Sequence, residues 1–459
     1  MNLPNRTETI IRGEWVLTSA DVGEIRDGAV LIRDGVIVAV DSYVNLRSQN
    51  STAPVVGDGT GIVLPGFVNT HTHLSEALIP GMGSDLMLFE WGTRIVTPAG
   101  AVQTQEIARE GTLLKAAELL HSGVTCVNDM FHHYRPGSFA SLGVVEGLVQ
   151  AGLRGAVAFG AEDAFDGLAF TVEQAIEEHV ALAESAAAAE LIQFRMGVGT
   201  MLGSSDNLLE AAVAMASERE WPVHTHLAEV REETVEARLR WGRNSVAHAA
   251  AIGLLDLDVI AAHLIWVTER DIELLVEHDT AGAHNPVANM ILGSGVSPIP
   301  RMLAAGLRIG IGTDGAASND SQNMLEAIKS AALLQKVHLL DPSVLTAPEV
   351  LRMATIGGAE ALGLSDVIGS LEVGKRADVV LMGGTVELAN IHDPYQQAAF
   401  CTSPRSVSDV WVDGRRLVSD RELQTVDEAA QIAICRPLAR QLATDSNLAS
   451  TGMSRICEM

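Results

Sequence analysis

The sequence predicts an α/β fold: a (β/α)8 barrel of the TIM type, with a small β-sandwich domain built from both chain ends. Three observations carry this expectation. Eight short apolar runs alternate with longer helical patterns through the middle of the chain. Segments near both ends instead have the turn-punctuated, β-branched texture of antiparallel strands. Metal-binding residue types stand at the ends of several central runs, where a parallel barrel gathers its active site.

In chain order, residues 8–18 and 28–41 read as antiparallel strands, broken at Asp27-Gly28 and Asp34-Gly35. The eight central runs are Ile62–Asn69, Val124–Met130, Arg154–Gly160, Phe194–Gly199, Pro222–Leu227, Val259–His263, Thr280–His284 and Leu307–Thr313. Helical patterns between or after them cover Ile107–His121, Thr171–Ala188, Asn207–Glu218, Glu269–Glu277 and Asn323–Leu334. Late strands follow at Ala377–Met382 and Val407–Val412, the second turning at Asp413-Gly414 into Leu417-Val418. The expected division is a first sandwich part at 1–61, the (β/α)8 barrel at 62–368, and a second sandwich part with a C-terminal helix at 369–459. A length of 459 residues suits one barrel with a small companion.

Charge excludes some functions. Lys+Arg 31 against Asp+Glu 58 leaves a net −27, which repels phosphate backbones, so no nucleic-acid partner is expected. A hydrophobic fraction of 47% is too high for a disordered acidic protein. No run of membrane-spanning length occurs, and residues 1–15 lack the apolar core of a signal peptide, so no membrane partner is expected. Cys126, Cys401, Cys435 and Cys457 are dispersed, which reads as reduced thiols in a cytoplasm; the tail around Cys457 is expected to be mobile.

The histidines carry the chemistry. His71 and His73 follow the first run, and alternate positions on a strand share a face, so two imidazoles there could chelate one ion. His224 and His226 repeat the spacing, His263 and His284 end two further runs, and Asp314 follows another. Three imidazoles and a carboxylate with an open position suit Zn²⁺ and also admit Fe²⁺. Such an ion acidifies a water and polarises the group attacked. Glu229, three residues after His226, is placed to carry a proton to the leaving group.

These residues bring a resemblance. Pro65-Gly-Phe-Val-Asn-Thr-His71-Thr-His73, His226-Leu-Ala-Glu229, His263, His284-Asn-Pro286 and Gly312-Thr-Asp314-Gly-Ala-Ala-Ser318 together resemble the amidohydrolase superfamily. More narrowly, they resemble the branch of methylthioadenosine/S-adenosylhomocysteine deaminases and triazine hydrolases. Gly369–Asp378 and Val410–Gly414 are similar to that branch's closing β-domain segments. The resemblance implies that His71, His73, His226 and Asp314 bind one metal. It implies that His263 orients the attacking water, Glu229 shuttles its proton to a ring nitrogen, and Asp314 also accepts a proton. Binuclear relatives commonly bridge two ions with a carboxylated lysine after the fourth strand. None of the four lysines here (Lys115, Lys329, Lys336, Lys375) falls there, which favours one divalent ion. His224 has no ligand role in the family and is expected to face away into packing.

For substrate, Glu90 and Trp91 match a family segment in which the carboxylate meets ribose hydroxyls and the indole forms a pocket wall. His284 and Asn285 are further candidates from the resemblance. Adenosine-type relatives carry Pro-His-Ala/Ser-Pro after the fourth strand, and its histidine contacts the purine. Here the segment reads Gly199-Thr-Met-Leu-Gly-Ser-Ser205, so Thr200 and Met201 are expected to form a different pocket floor. His132 and His133 read as surface residues or pocket lining, and Arg154 as structural.

The expected function is a metal-dependent hydrolytic deaminase of an aminated N-heterocycle: purine, pterin, pyrimidine or triazine. The alternatives are a triazine-type hydrolase expelling chloride or an alkylamine, and a cyclic amide hydrolase. A complete ligand set with Glu229 beside it argues against a non-enzymatic binding protein. The resemblance also implies a homo-oligomer, a dimer or larger.

Overall fold

The computed structural model describes residues 3–20, 23–83, 85–164 and 170–448, so the Cys457 tail lies outside the described residues. Eight parallel strands form the barrel: β1 Phe67–His73, β2 Val124–Phe131, β3 Arg154–Phe159, β4 Met196–Thr200, β5 Val223–Leu227, β6 Val259–His263, β7 Ala281–His284 and β8 Ile309–Ile311. Hydrogen bonding runs β3-β2-β1-β8-β7-β6-β5-β4. Residues of β1, β2 and β3 are buried throughout, as expected of parallel strands covered on both faces.

Two of the expected runs are each two elements. Ile62–Pro65 leaves the barrel and pairs with Val379–Met382 and Trp15–Leu17 of the small domain. The first barrel strand therefore starts at Phe67, not at residue 62. Pro65 has no N–H to continue a ladder, and at Gly66 a Cβ would lie 2.1 Å from Thr125 Oγ1. Likewise the run at 194–199 divides. Ile192–Phe194 pairs with β3, and Met196–Thr200 pairs with β5. The chain crosses between them, and the Arg195 amide donates to Val157 O at 2.9 Å, closing the barrel between β3 and β4.

Helices Gln105–His121, Val172–Ala187, Asp206–Arg219, Glu269–Glu277 and Met324–Leu339 lie where their periodicity predicts. Local signals start them: Thr171 and Gln174 form a capping box, and Asn323 accepts from Leu325 and Glu326 amides.

The small domain is a sandwich. One sheet orders Val36–Ser42, Gly28–Arg33, Thr9–Arg12 and Val55–Val56. The other runs from Glu422–Leu423 through Arg415–Ser419, Val407–Val412, Val379–Met382, Ile62–Pro65 and Trp15–Leu17 to Glu24–Arg26. Their shared core holds Ile11, Val30 and Ile32 from one sheet and Val63, Val379 and Trp411 from the other. The C-terminal helix Glu428–Asp445 packs on Gln105–His121, where Gln431 Nε2 donates to Glu110 O at 2.9 Å. Among the described residues, no helix is long and apolar enough to cross a membrane.

Arg154 is structural, as its place at a strand start suggests. Its guanidinium makes two bonds of 3.0 Å to the carboxylate of Asp378 and ties β3 to the small domain. Both side chains are buried. Removing one member leaves an unpaired buried charge. Arg154→Met should therefore cost about 3–5 kcal/mol in chemical denaturation, and Arg154→Met/Asp378→Leu should recover part of that loss.

Candidate metal centre and active site

Parallel strands place their C-terminal ends in one ring, and the expected residues meet there. His71 and His73 end β1, His226 lies on β5, and Asp314 pairs with Thr72 beside β1. His71 Nε2 and His73 Nε2 stand 3.4 and 3.2 Å from Asp314 Oδ1. His73 Nε2 faces His226 Nε2 at 3.1 Å. Ligand atoms of His71, His73 and His226, and likewise of His71, His263 and Asp314, lie within 4.8 Å of one another.

The other nitrogen of each ring is anchored. His73 Nδ1 meets Met130 O at 2.7 Å, and His226 Nδ1 meets Gly199 O at 2.6 Å, so both Nδ1 atoms are donors and both Nε2 atoms turn inward. His71 Nε2 is buried without a hydrogen-bond partner. Burial favours a neutral carboxyl at Asp314, yet the His71 and His73 imidazoles hold it well below the carboxylate range. Burial opposes a charged His73, yet Asp314 and Glu76 pull it up to about 10. Inward ring nitrogens around a buried carboxylate are a donor set that fits a divalent cation, which would take the place of the proton on His73.

His224 corrects an expectation. It does not face away into packing: its Nε2 lies 2.8 Å from His71 Nδ1. Its repeat of the His-x-His spacing was the signal. Asn289 was also missed; its Oδ1 lies 2.9 Å from His263 Nδ1, which makes that nitrogen the donor and leaves Nε2 as an acceptor.

Glu229 is buried after β5, with Oε2 3.6 Å from His263 Nε2. Burial first, then Asp314 and Glu233, raises its carboxyl well above the usual range. Glu233 holds the bend that carries it, accepting the amides of Ala228 and Glu229 at 2.8 Å each. Ala228, His263 and Asp314 adopt left-handed backbone, with φ of 54°, 76° and 63°. Such conformations in non-glycine residues gather where a site needs a particular side-chain direction.

A cavity of about 450 Å³ opens over these groups. Trp91 and Thr200 line it as expected, and Trp91 Nε1 donates to Ala317 O at 3.2 Å. Glu90 does not line it: the side chain is half exposed and pairs with Arg94 at 2.6 Å. Met201 is not pocket floor but packs in the main hydrophobic core. His284 is buried outside the lining, and Asn285 lies behind His263, its Nδ2 3.4 Å from Nδ1. His132 lines the cavity, whereas His133 is buried against Glu178 at 2.6 Å, so neither is a surface residue. Sequence reading also missed Glu76, which lines the cavity from the 3-10 turn Leu74–Glu76 after β1, and Glu162 and Tyr134, which line it from loops without a local pattern.

The four lysines are engaged elsewhere, Lys115 with Glu118 and the others with Phe400 O, Pro342 O and Ser370 Oγ.

Comparison with known proteins agrees with this geometry. Residues 62–417 match the model of the Amidohydrolase family, and the chain belongs to that family. It is a hydrolase acting on carbon–nitrogen bonds other than peptide bonds. It is 39% identical over 361 residues to a 5-methylthioadenosine/S-adenosylhomocysteine deaminase of Desulforudis audaxviator, covering 78% of this chain and 81% of that one. A zinc-bound adenosine deaminase structure from Xanthomonas campestris superposes with a TM-score of 0.89 at 31% identity, covering 96% of this chain and all of the other. An atrazine chlorohydrolase of Arthrobacter aurescens TC1 complexed with zinc gives a TM-score of 0.85 at 26% identity, covering 94% of this chain and all of the other. The expected barrel, sandwich domain and family hold, and the family and donor set together support a divalent metal.

His224→Phe removes the acceptor that fixes His71. Zinc affinity, measured by competition with a chromogenic chelator, should fall about 10–100-fold while the fold persists. His71→Ala should lose stoichiometric metal altogether.

Proposed function

We propose that the chain is a metal-dependent hydrolytic deaminase of an aminated N-heterocycle, with one divalent ion held by His71, His73, His226 and Asp314. The observation that carries this reading is Glu229, buried in the cavity wall beside that donor set and 3.6 Å from His263. Zinc is favoured over iron, because two relatives of the same fold carry it. The ion, when bound, supplies Lewis acidity that acidifies a water and polarises the attacked carbon.

The residues supply the rest. His263 Nε2, kept as an acceptor by Asn289, orients the attacking water. Glu229 takes a proton from that water as its oxygen bonds to the ring carbon. It delivers the proton to the adjacent ring nitrogen, which accepts the displaced electron pair. Asp314 takes the second proton. The carbon–nitrogen bond then breaks as the proton held on Asp314 passes, by way of Glu229, to the amine, which leaves as ammonia and frees both carboxylates. A carboxyl raised by burial and by the nearby Asp314 and Glu233 suits a group that must hold a proton and pass it on. The same reading includes a dimer or larger assembly in the cytoplasm.

Glu229→Gln should lower kcat by about 10²–10⁴-fold with zinc content unchanged; retained turnover would remove Glu229 from the mechanism. Chelation should abolish activity and lower Tm, and added zinc should restore both. An ammonia-release screen over purines, pterins, pyrimidines and aminated triazines, with chloride followed in parallel, separates deamination from dechlorination.

A further inference from the structure

One wall of the cavity is a built acceptor. Glu162 follows β3 and is buried, yet it lines the cavity. Its Oε2 accepts from Tyr134 Oη at 3.0 Å, and its Oε1 accepts from Thr200 Oγ1 at 2.8 Å. The direction of the second bond is fixed. Thr200 Oγ1 already accepts the Gly203 amide at 2.9 Å, so its single proton goes to Glu162. The chain makes room for this carboxylate: a Cβ on Gly203 would lie 2.2 Å from Oε1, and one on Gly199 would lie 2.6 Å from Glu162 Cγ. A carboxylate offers four lone-pair sites, and the bonds from Tyr134 Oη, Thr200 Oγ1 and the Thr200 backbone leave one for a ligand.

The rest of the wall narrows the ligand. The carboxyls of Glu76, Glu162, Glu229 and Glu233 line the cavity, and among the described residues no lysine or arginine does. Phosphorylated ligands are therefore disfavoured. Glu90, the residue expected to meet ribose hydroxyls, turns to Arg94 instead.

We infer that Glu162, held by Tyr134 and Thr200, selects the substrate by accepting a hydrogen bond from a ring N–H or second amino group of an uncharged aminated heterocycle. This rests on the deaminase reading and names its substrate class. Guanine-like rings, diaminopyrimidines and aminated triazines present such a donor. The ring of adenosine or methylthioadenosine offers only acceptors besides the amine that leaves. A site built around a buried acceptor rejects a ligand that leaves it unpaired.

The test compares zinc-loaded wild type, Glu162→Gln and Thr200→Val on guanine, a diaminotriazine, adenosine and methylthioadenosine. Wild type should favour the donor-bearing rings in kcat/KM by about 100-fold or more. Glu162→Gln should shift that preference by about 100-fold toward the adenosine type, chiefly through KM, with zinc content unchanged. Thr200→Val, which keeps the carboxylate but removes one of its donors, leaves Oε1 in need of a partner and should shift the preference about 10-fold the other way, further toward the donor-bearing rings. Calorimetric binding of guanine should weaken about 100-fold in Glu162→Gln. A wild-type preference for adenosine or methylthioadenosine, or equal guanine affinity in wild type and Glu162→Gln, overturns the inference. Absence of ammonia from every ring, with the affinity difference intact, overturns the deaminase reading and leaves the role of Glu162 standing.

Discussion

A buried carboxylate surrounded by imidazoles is the constraint on which the rest of this molecule depends. Asp314 is removed from water and stands within 3.4 Å of His71 and His73. Groups like these tolerate burial only where opposite charge and fixed donors compensate them. The compensation comes from every side of the barrel. His71 leans on His224 of β5, His73 on Met130 of β2, His226 on Gly199 of β4, and His263 on Asn289 after β7. Each ring nitrogen that points inward is aimed by one that points to another strand. The precision of the centre is thus a property of barrel closure, not of the two His-x-His segments alone.

Much of this was legible in the sequence, for physical reasons. Strands buried on both faces read as unbroken apolar runs, and a period of two puts His71 and His73 on one side of β1. Strand ends in a parallel barrel share one rim, so residues far apart in the chain could be grouped without coordinates. Local periodicity does not reveal partners. The run beginning at Ile62 is apolar throughout, whichever sheet it joins, and only the pairing with Val379–Met382 separates its two halves. His224 and His226 share a face of β5, and the repeated spacing marks them as a pair, but only the fold shows that His224 meets His71 Nδ1 at 2.8 Å. Glu90 matched a motif, but its neighbour four residues on, Arg94, is the partner that turns it outward. Glu162 and Tyr134 lie on loops, where no repeat predicts direction.

Chemistry and selection are thereby housed in different material. The groups proposed for metal binding and proton transfer stand on strand ends and the bends that follow them. The acceptor wall is carried by the segments after β2 and β3 and by Thr200, the last residue of β4. A scaffold arranged this way permits new substrates through loop change while the reacting centre stays intact. It also accounts for a barrel that superposes on both a deaminase and a chlorohydrolase structure.

The strand Ile62–Pro65 has a consequence for how the molecule comes into being. It leads directly into β1, and its antiparallel partner, Val379–Met382, is made near the end of synthesis. Long-range pairing of this kind is slow and late. Until it forms, the segment entering β1 lacks one of its neighbours, and the Arg154 clamp lacks Asp378. A nascent chain can stack most of its barrel while the strand bearing His71 and His73 remains unseated. The approach to β1 is therefore fixed only once residues as far along as Met382 have been made.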